Sequence, residues 1–321
     1  MLSVGVDDNL HKIKLIASVV VCVLLAGIEC DSTNQSVTYG RILTISLSSV
    51  ALNGSLPTSI GNFQAMTFLY FSNCQIRGTI PSTIGQLTSL GELSLLSNKL
   101  IGPIPDTISA LTKLRILNVD DNSLLGTIPS SISVLTNLRT LVTSFNSFTG
   151  TIPSVLSSLT LLQRLSADSN KLSGLIPTSL GNLLSVDILT LSLNNLIGPI
   201  PDTISALTKL KILEISSNLL TGTIPSSISK LTALTEMSLY HCSLSGTIPS
   251  TMSALIKLGI LDLRNNYLTA GSSMSVPTST FSTATLNGTI RLDFNCLAFS
   301  SSAPYPSRSV TATHCRPTSM Y

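Results

Sequence analysis

The sequence contains no tryptophan, and aromatic residues make up only 4% of it, so a hydrophobic core must be built mainly from aliphatic side chains. Charged residues are also scarce, at 10%, and the formal net charge of +3 comes from basic residues that do not cluster along the chain. Proteins that bind nucleic acids neutralise phosphates with grouped lysines and arginines. The composition therefore argues against a nucleic-acid partner.

Long apolar runs are nearly absent as well. The one exception is the stretch of 14 residues at 15–28, which follows Lys12 and Lys14 and contains small residues at Ala26 and Gly27. A membrane-spanning helix needs about 20 apolar residues, whereas the core of a secretory signal needs roughly 7–15. Residues 1–30 are therefore predicted to be a signal peptide of a secreted or cell-surface protein. The alternative is an uncleaved signal anchor, which would be the chain's only membrane contact.

The dominant feature of the sequence is a repeat of 24 residues. Prolines recur at this interval without exception, at Pro57, Pro81, Pro105, Pro129, Pro153, Pro177, Pro201, Pro225 and Pro249. A glycine lies three residues before each proline, and Ile or Leu lies immediately before it. The position seven residues before the proline is mostly asparagine, and the series comprises Asn98, Asn122, Asn146, Asn170, Asn194, Asn218 and, after the last proline, Asn266. A period of this length indicates a solenoid of stacked units.

Within each unit, leucines alternate with polar residues, as at Leu93 and Leu95 or Leu189 and Leu191. Alternation with a period of two predicts a short strand that buries one face. One unit cannot bury its apolar residues alone, so neighbouring units must stack. Each repeat asparagine follows its strand, where its amide can bond backbone groups of the turn and of the adjacent unit. The asparagines are therefore predicted to form a structural ladder.

These motifs resemble the plant-type leucine-rich repeat, as the segments at residues 99–105 and 148–153 show. The resemblance covers about residues 39–268 and is to receptor-like kinase ectodomains and polygalacturonase-inhibiting proteins. It implies an α/β repeat solenoid, a leucine-rich-repeat horseshoe of about ten 24-residue repeats over residues 42–268. Short parallel strands would line its concave face, and irregular or 3₁₀ segments its convex face. Plant ectodomains open with a tryptophan-containing cap and a cysteine pair. The short cap at residues 31–41 departs from this pattern, and only residues 38–42 resemble its end.

The cysteines fall into two groups. Cys74 and Cys242 occupy the ladder position seven repeats apart, too far to bridge each other, and are predicted to be buried free thiols. Cys296 and Cys315 flank a Ser/Pro-rich segment and are predicted to form a disulfide in a C-terminal cap at residues 269–321. The alternative there is a metal site at His314 and Cys315, but it lacks a second close pair of ligands. Sequons for glycosylation occur at Asn34, Asn53 and Asn287.

The outward positions of the predicted strands carry mostly small hydroxylated residues such as Ser166, which are expected to face solvent. Larger and charged residues stand out among them and are the candidate ligand-binding residues of the concave face: Phe68, Tyr70, Asp120, Phe145, Asp168, Glu214, Glu236, Tyr240, His241, Asp262 and Arg264. Aromatic residues and arginine tend to dominate binding energy.

Catalysis would have to use one of these groups. His241, beside Tyr240 and near Glu214, Glu236 and Asp262, is the one histidine on the predicted strand face, and such a cluster can do acid–base chemistry. A shallow sheet open to water offers little burial to tune pKa values, however. We therefore predict that the protein is not an enzyme and uses no cofactor and no metal.

An internal duplication helps to locate the function. Residues 100–114 are identical to residues 196–210, four repeats later, but the copies then differ on the strand, as at Asn118 and Glu214. This favours an extracellular recognition module that binds a protein, peptide or glycan on the concave face, toward its C-terminal half, with a membrane-anchored co-receptor as a further partner. The alternative is a structural or adhesion protein of the cell surface or wall.

Overall fold

The computed structural model describes residues 43–269 and the backbone of residues 289–291. The chain forms two compact units, unit 1 up to Asn170 and unit 2 from Lys171 onward. The predicted signal segment, the N-terminal cap, the Cys296–Cys315 pair and the sequons at Asn34 and Asn287 lie outside the described residues. The described part of the chain contains no helix that is long and apolar enough to cross a membrane.

The described part of unit 1, residues 43–170, contains ten strands. Each is placed by the alternation of leucines or by the segment that follows a ladder position. In chain order they are β1 (Thr44–Ser48), β2 (Phe68–Ser72), β3 (Arg77–Gly78), β4 (Glu92–Ser94), β5 (Lys99–Gly102), β6 (Ile116–Asn118), β7 (Ser123–Gly126), β8 (Thr140–Val142), β9 (Ser147–Phe148) and β10 (Arg164–Ser166). Strands β1, β2, β4, β6, β8 and β10 pair in parallel in this order and form the main sheet of the unit. A second sheet is formed by β3, β5, β7 and β9.

Unit 2 repeats this arrangement. Its strands are β11 (Ser173–Leu175), β12 (Ile188–Thr190), β13 (Asn195–Gly198), β14 (Ile212–Glu214), β15 (Leu219–Leu220), β16 (Glu236–Ser238), β17 (Ser245–Thr247), β18 (Ile260–Asp262), β19 (Tyr267–Thr269) and β20 (Thr289–Arg291). The main sheet of this unit pairs β12, β14, β16, β18 and β20 in parallel. Strand β20 lies in the segment that the sequence assigns to the C-terminal cap, and it continues the sheet as another repeat would.

A short 3₁₀ helix follows each repeat proline. These helices are η1 (Thr58–Asn62), η2 (Ser82–Gln86), η3 (Asp106–Ala110), η4 (Ser130–Val134) and η5 (Ser154–Ser158) in unit 1, and η6 (Thr178–Asn182), η7 (Asp202–Ala206), η8 (Ser226–Lys230) and η9 (Ser250–Ala254) in unit 2. The proline ring holds φ near −65°, and the prolines are extended, as at Pro57 and Pro249, so the chain enters each helix from a straight segment. The predicted parallel strands and 3₁₀ segments are confirmed.

The core is aliphatic, as the composition requires. Inward leucines of the main sheets, such as Leu93, Leu117 and Leu213, are fully buried. The repeat asparagines lie beside these leucines, and hydrogen bonds satisfy both the donors and the acceptor of each asparagine side chain. The side-chain nitrogen of Asn98, for example, donates to the carbonyl oxygens of Phe71, Leu95 and Leu96, while its oxygen accepts from two backbone N–H groups. Cys74 and Cys242 replace asparagine in this row and are buried free thiols, as their position predicts.

The residue before each ladder position, which is asparagine in most repeats, has a left-handed backbone, a feature that the sequence did not reveal. The φ values lie between 50° and 57° at Ser49, Asn73, Ser97, Asp121, Phe145, Ser169, Leu193, Ser217, His241 and Asn265. Small polar residues tolerate this conformation best, whereas bulky side chains are strained in it. Phe145 and Leu193 nevertheless occupy it with about half of their surface exposed, at 56% and 51%. Large groups are therefore held in solvent at the ends of two strands.

Candidate ligand-binding face

The strand face is the name we use for the outward side chains of the main sheet in each unit, together with the residues that flank each strand. Several outward serines are buried, although the sequence led us to expect that they face solvent. Ser166 is only 1% exposed and Ser216 also 1%. Parallel strands bring neighbouring repeats within about 4.8 Å, so long side chains cover the short ones. Arg164, for example, lies over Ser166 and donates from Nε to its Oγ at 3.0 Å.

In unit 1, the predicted aromatic residues are part of a larger cluster. The rings of Phe68 and Tyr70 are nearly parallel, with 6.3 Å between their centroids. The Tyr70 hydroxyl donates to Oε2 of Glu92, and Arg115 donates from Nη2 to Oε1 of the same carboxylate at 3.2 Å. Glu92 thus holds a tyrosine and an arginine in place. Sequence reasoning missed Glu92 and Arg115, although the 24-residue register places Glu92 directly beside Phe68.

Farther along unit 1, three carboxylates lie just after strands, at Asp120, Asp121 and Asp168. Asp168 accepts a hydrogen bond from the Ser144 hydroxyl at 3.2 Å, while its backbone N–H donates to Ser144 Oγ at 3.1 Å. One carboxylate oxygen of Asp120 is buried without a hydrogen-bond partner. Desolvation by burial is the largest influence on the pKa of Asp120 and raises it. A hydrogen bond from the backbone of Asp121 and the charge of Arg164 lower this pKa, whereas the charges of Asp121 and Asp168 raise it, and the net shift is upward. Folding therefore disfavours the ionised form of the Asp120 carboxyl group.

We expect Asp120→Asn to stabilise the protein at neutral pH by about 1 kcal/mol, since a neutral amide is cheaper to desolvate than a carboxylate. A raised carboxyl pKa means that folding favours the protonated form. The destabilisation by Asp120 is therefore present above the folded-state pKa and disappears as the pH falls through it. The gain from Asp120→Asn should shrink at acidic pH, which urea unfolding at several pH values will measure. The exposed Asp106→Asn removes the same charge and serves as the control; equal gains for both variants would contradict the argument.

In unit 2, three candidate residues form one interacting group. Arg264 donates from Nε to Oδ1 of Asp262 at 2.9 Å and from Nη2 to Oδ2 at 2.6 Å. Its guanidinium carbon lies 5.7 Å from the centroid of the Tyr240 ring, within the range of a cation–π contact. Asp262 itself is only 7% exposed. The Asp262 carboxylate is thus mostly covered and holds the arginine, whereas Tyr240 and Arg264 are partly exposed.

The other candidates of unit 2 occupy neighbouring positions. Glu214 and Glu236 lie half-buried on β14 and β16, and their register partners are Ser238 and Ile260. His241 is exposed and follows Tyr240 at the strained turn position. Across residues 43–269, no three histidine, cysteine, aspartate or glutamate side chains are grouped so that they could hold a metal ion.

Comparison with known proteins identifies the repeat. The Leucine Rich Repeat family matches residues 65–87, 113–135, 137–159, 161–183, 209–231 and 233–255. No curated protein matches the sequence. Several solved structures resemble the chain over most of its length.

One similar structure is the ectodomain of the plant membrane receptor kinase GASSHO1/SCHENGEN3 from Arabidopsis thaliana in complex with CASPARIAN STRIP INTEGRITY FACTOR 2, at 34% identity and a TM-score of 0.72. Another is the Arabidopsis receptor kinase HAESA in complex with the peptide hormone IDA and the co-receptor SERK1, at 33% identity and a TM-score of 0.69. These matches cover 79% and 76% of this chain, but only 30% and 40% of the receptor chains. A plant ice-binding protein is similar at 27% identity and a TM-score of 0.64, covering 90% of this chain and 91% of that one.

Proposed function

The chain is a leucine-rich-repeat protein of the plant type, and we propose that it acts outside the cell as a recognition module that binds a peptide or protein on its strand face. The comparisons support this class of ligand, since two of the similar receptors are in complex with named peptide or protein factors. The plant ice-binding protein is a reminder that this fold serves unrelated ligands. The proposal therefore depends on the site itself.

The observation that carries the proposal is the Tyr240–Arg264–Asp262 group of unit 2. The two hydrogen bonds from Asp262 and the ring of Tyr240 fix a partly exposed guanidinium in one orientation. A side chain that is already ordered loses little conformational entropy when a ligand binds. Aromatic residues and arginine in such positions are the usual centres of binding energy. A protein or peptide ligand can contact both the Tyr240 ring and the partly exposed guanidinium of Arg264.

The experiment is a selection of random displayed peptides against the full-length secreted protein. Binders are then measured against a variant that combines Tyr240→Ala, Arg264→Gln and Asp262→Asn. Asp262 is changed with Arg264 because a buried carboxylate without its partner would destabilise the fold. We expect at least about tenfold weaker binding, equivalent to about 1.4 kcal/mol, with an unchanged melting temperature.

The control changes Lys209 and Lys230 to alanine, since both are exposed and lie outside the strand face of unit 2. This variant should bind the selected peptides as the wild type does. A failure to select any saturable peptide, or a larger loss in the control than in the triple variant, would refute the proposal.

A further inference from the structure

A glycosylation sequon of unit 1 begins at Asn53, in the segment that follows β1. The backbone on both sides of Asn53 is tied to the next repeat. Leu52 donates from its backbone N–H to the carbonyl oxygen of Cys74 at 2.9 Å, and the carbonyl oxygen of Gly54 accepts from the backbone N–H of Arg77 at 2.8 Å. Asn53 is therefore held at a fixed position between two anchored residues.

The Asn53 side chain is exposed, and the fold depends little on it. Its amide nitrogen lies 3.4 Å from the carbonyl oxygen of Ala51, a long and exposed hydrogen bond that water can replace. The backbone of Asn53 is left-handed, with φ at 54°, a conformation that asparagine tolerates better than most residues. Ser55, which supplies the hydroxyl of the sequon, is exposed as well. A substituent on the Asn53 amide nitrogen is therefore compatible with the fold.

Asn53 differs in this respect from the repeat asparagines, which bury their amides. The side-chain nitrogen of Asn98, for example, donates to three carbonyl oxygens, and the residue is only 9% exposed. A group attached to that nitrogen would break the ladder. The 24-residue period instead aligns Asn53 with Ile101 and Leu125, two and three repeats later, and each of these is 50% exposed. Large groups at this position of the repeat accordingly project into solvent.

The position also determines which side of unit 1 a sugar on Asn53 would cover. Ile101 lies on β5 and Leu125 on β7, which are strands of the second sheet. The strand face belongs to the main sheet, whose first strand, β1, ends at Ser48. A group on Asn53 thus extends from the second-sheet side of unit 1 rather than from its strand face.

We infer that Asn53 carries an N-linked oligosaccharide on the second-sheet side of unit 1. The donor is a lipid-linked oligosaccharide diphosphate of the secretory pathway. A bond forms between the side-chain nitrogen of Asn53 and C1 of the first sugar, the bond from C1 to the diphosphate oxygen breaks, the amide loses one proton, and the lipid diphosphate leaves. This inference rests on the extracellular location in the proposed function, because such sequons are modified in secreted proteins.

The test is mass spectrometry of the full-length protein secreted by a eukaryotic cell line. Trypsin cleaves after Arg41 and Arg77 and releases residues 42–77, in which the one sequon begins at Asn53. An amidase that removes N-linked glycans converts the modified asparagine to aspartate and, in water enriched in heavy oxygen, labels that aspartate. We expect the label at position 53.

Ser55→Ala is the matched control, because it removes the sequon hydroxyl but keeps Asn53 followed by Gly54, a pair that can deamidate without any enzyme. This variant should lose the label and keep its melting temperature, since Ser55 is exposed. Ser55→Thr restores a sequon and should keep the label. An unlabelled position 53 in the secreted protein, or equal labelling in Ser55→Ala, would overturn the inference.

This result is distinguishable from that of the peptide selection. A secreted protein that binds selected peptides but has an unmodified Asn53 would refute the glycosylation alone. A protein that is glycosylated at Asn53 but yields no peptide ligand would refute the proposed recognition and support the inference. A chain that stays in the cytosol with Met1 intact would overturn both.

Discussion

Asn170→Leu is expected to lower the free energy of unfolding by about 3 kcal/mol, the largest stability effect of a single substitution that we predict. The amide nitrogen of Asn170 donates to the carbonyl oxygens of Thr143, Ala167 and Asp168, and its oxygen accepts from the backbone N–H of Phe148 at 2.9 Å. Asn170 is only 8% exposed, so water cannot replace these bonds. Leucine branches at the same atom as asparagine but cannot hydrogen-bond, so it leaves several backbone groups buried without partners. Urea unfolding measures the loss.

Asn170→Cys is the matched comparison, because the chain itself uses cysteine at two ladder positions. The Cys74 thiol lies 3.5 Å from the Leu47 carbonyl oxygen and 3.3 Å from that of Ser72. A thiol is a weak donor and satisfies part of what an amide does. Asn170→Cys should therefore lose clearly less stability than Asn170→Leu. If the two variants unfold at the same urea concentration, hydrogen bonding by the ladder is not what stabilises the turn.

Gly85→Ala is expected to destabilise the protein by about 1–3 kcal/mol, because the repeat that follows leaves no room for a side chain. A Cβ atom at Gly85 would overlap the carbonyl oxygen of Thr107 and lie 2.8 Å from its Cβ. The backbone cannot easily retreat, since Thr107 donates from its hydroxyl to the Ser82 carbonyl oxygen at 2.7 Å. Thermal unfolding, compared with that of the wild type, measures the effect.

Ser109→Ala tests the same position one repeat later. A side chain is already accommodated there, and its hydroxyl bonds only the Asp106 carbonyl oxygen of its own turn. The loss should stay within about 0.5 kcal/mol, as for most surface substitutions. A similar cost at both positions would show that the contact with Thr107 is not what makes Gly85→Ala destabilising.

Much of the architecture followed from the sequence because stacking turns a sequence period into spatial neighbours. Once the period is 24, the residue beside Phe68 in the next strand must be Glu92, and the structure has this register. Alternation of leucines then assigned inside and outside, and the repeat prolines marked the start of each 3₁₀ helix. One strand was missed, although Ile290, Leu292 and Asn295 repeat the spacing of Leu261, Leu263 and Asn266. The series of prolines at 24-residue intervals ends at Pro249, so the repeat pattern did not extend to this strand.

The sequence by itself determined which residues lie side by side on neighbouring strands, since that depends only on their spacing along the chain. Tertiary structure decided which of them a ligand can reach, because accessibility depends on the length and direction of the neighbouring side chains. Ser166 and Asp262 point outward yet are covered by arginines, whereas Phe145 is held in solvent by a left-handed backbone. The rotamer of an arginine is set by the partners that it finds in space. No period in the sequence specifies that Arg115 binds Glu92 or that Arg264 binds Asp262.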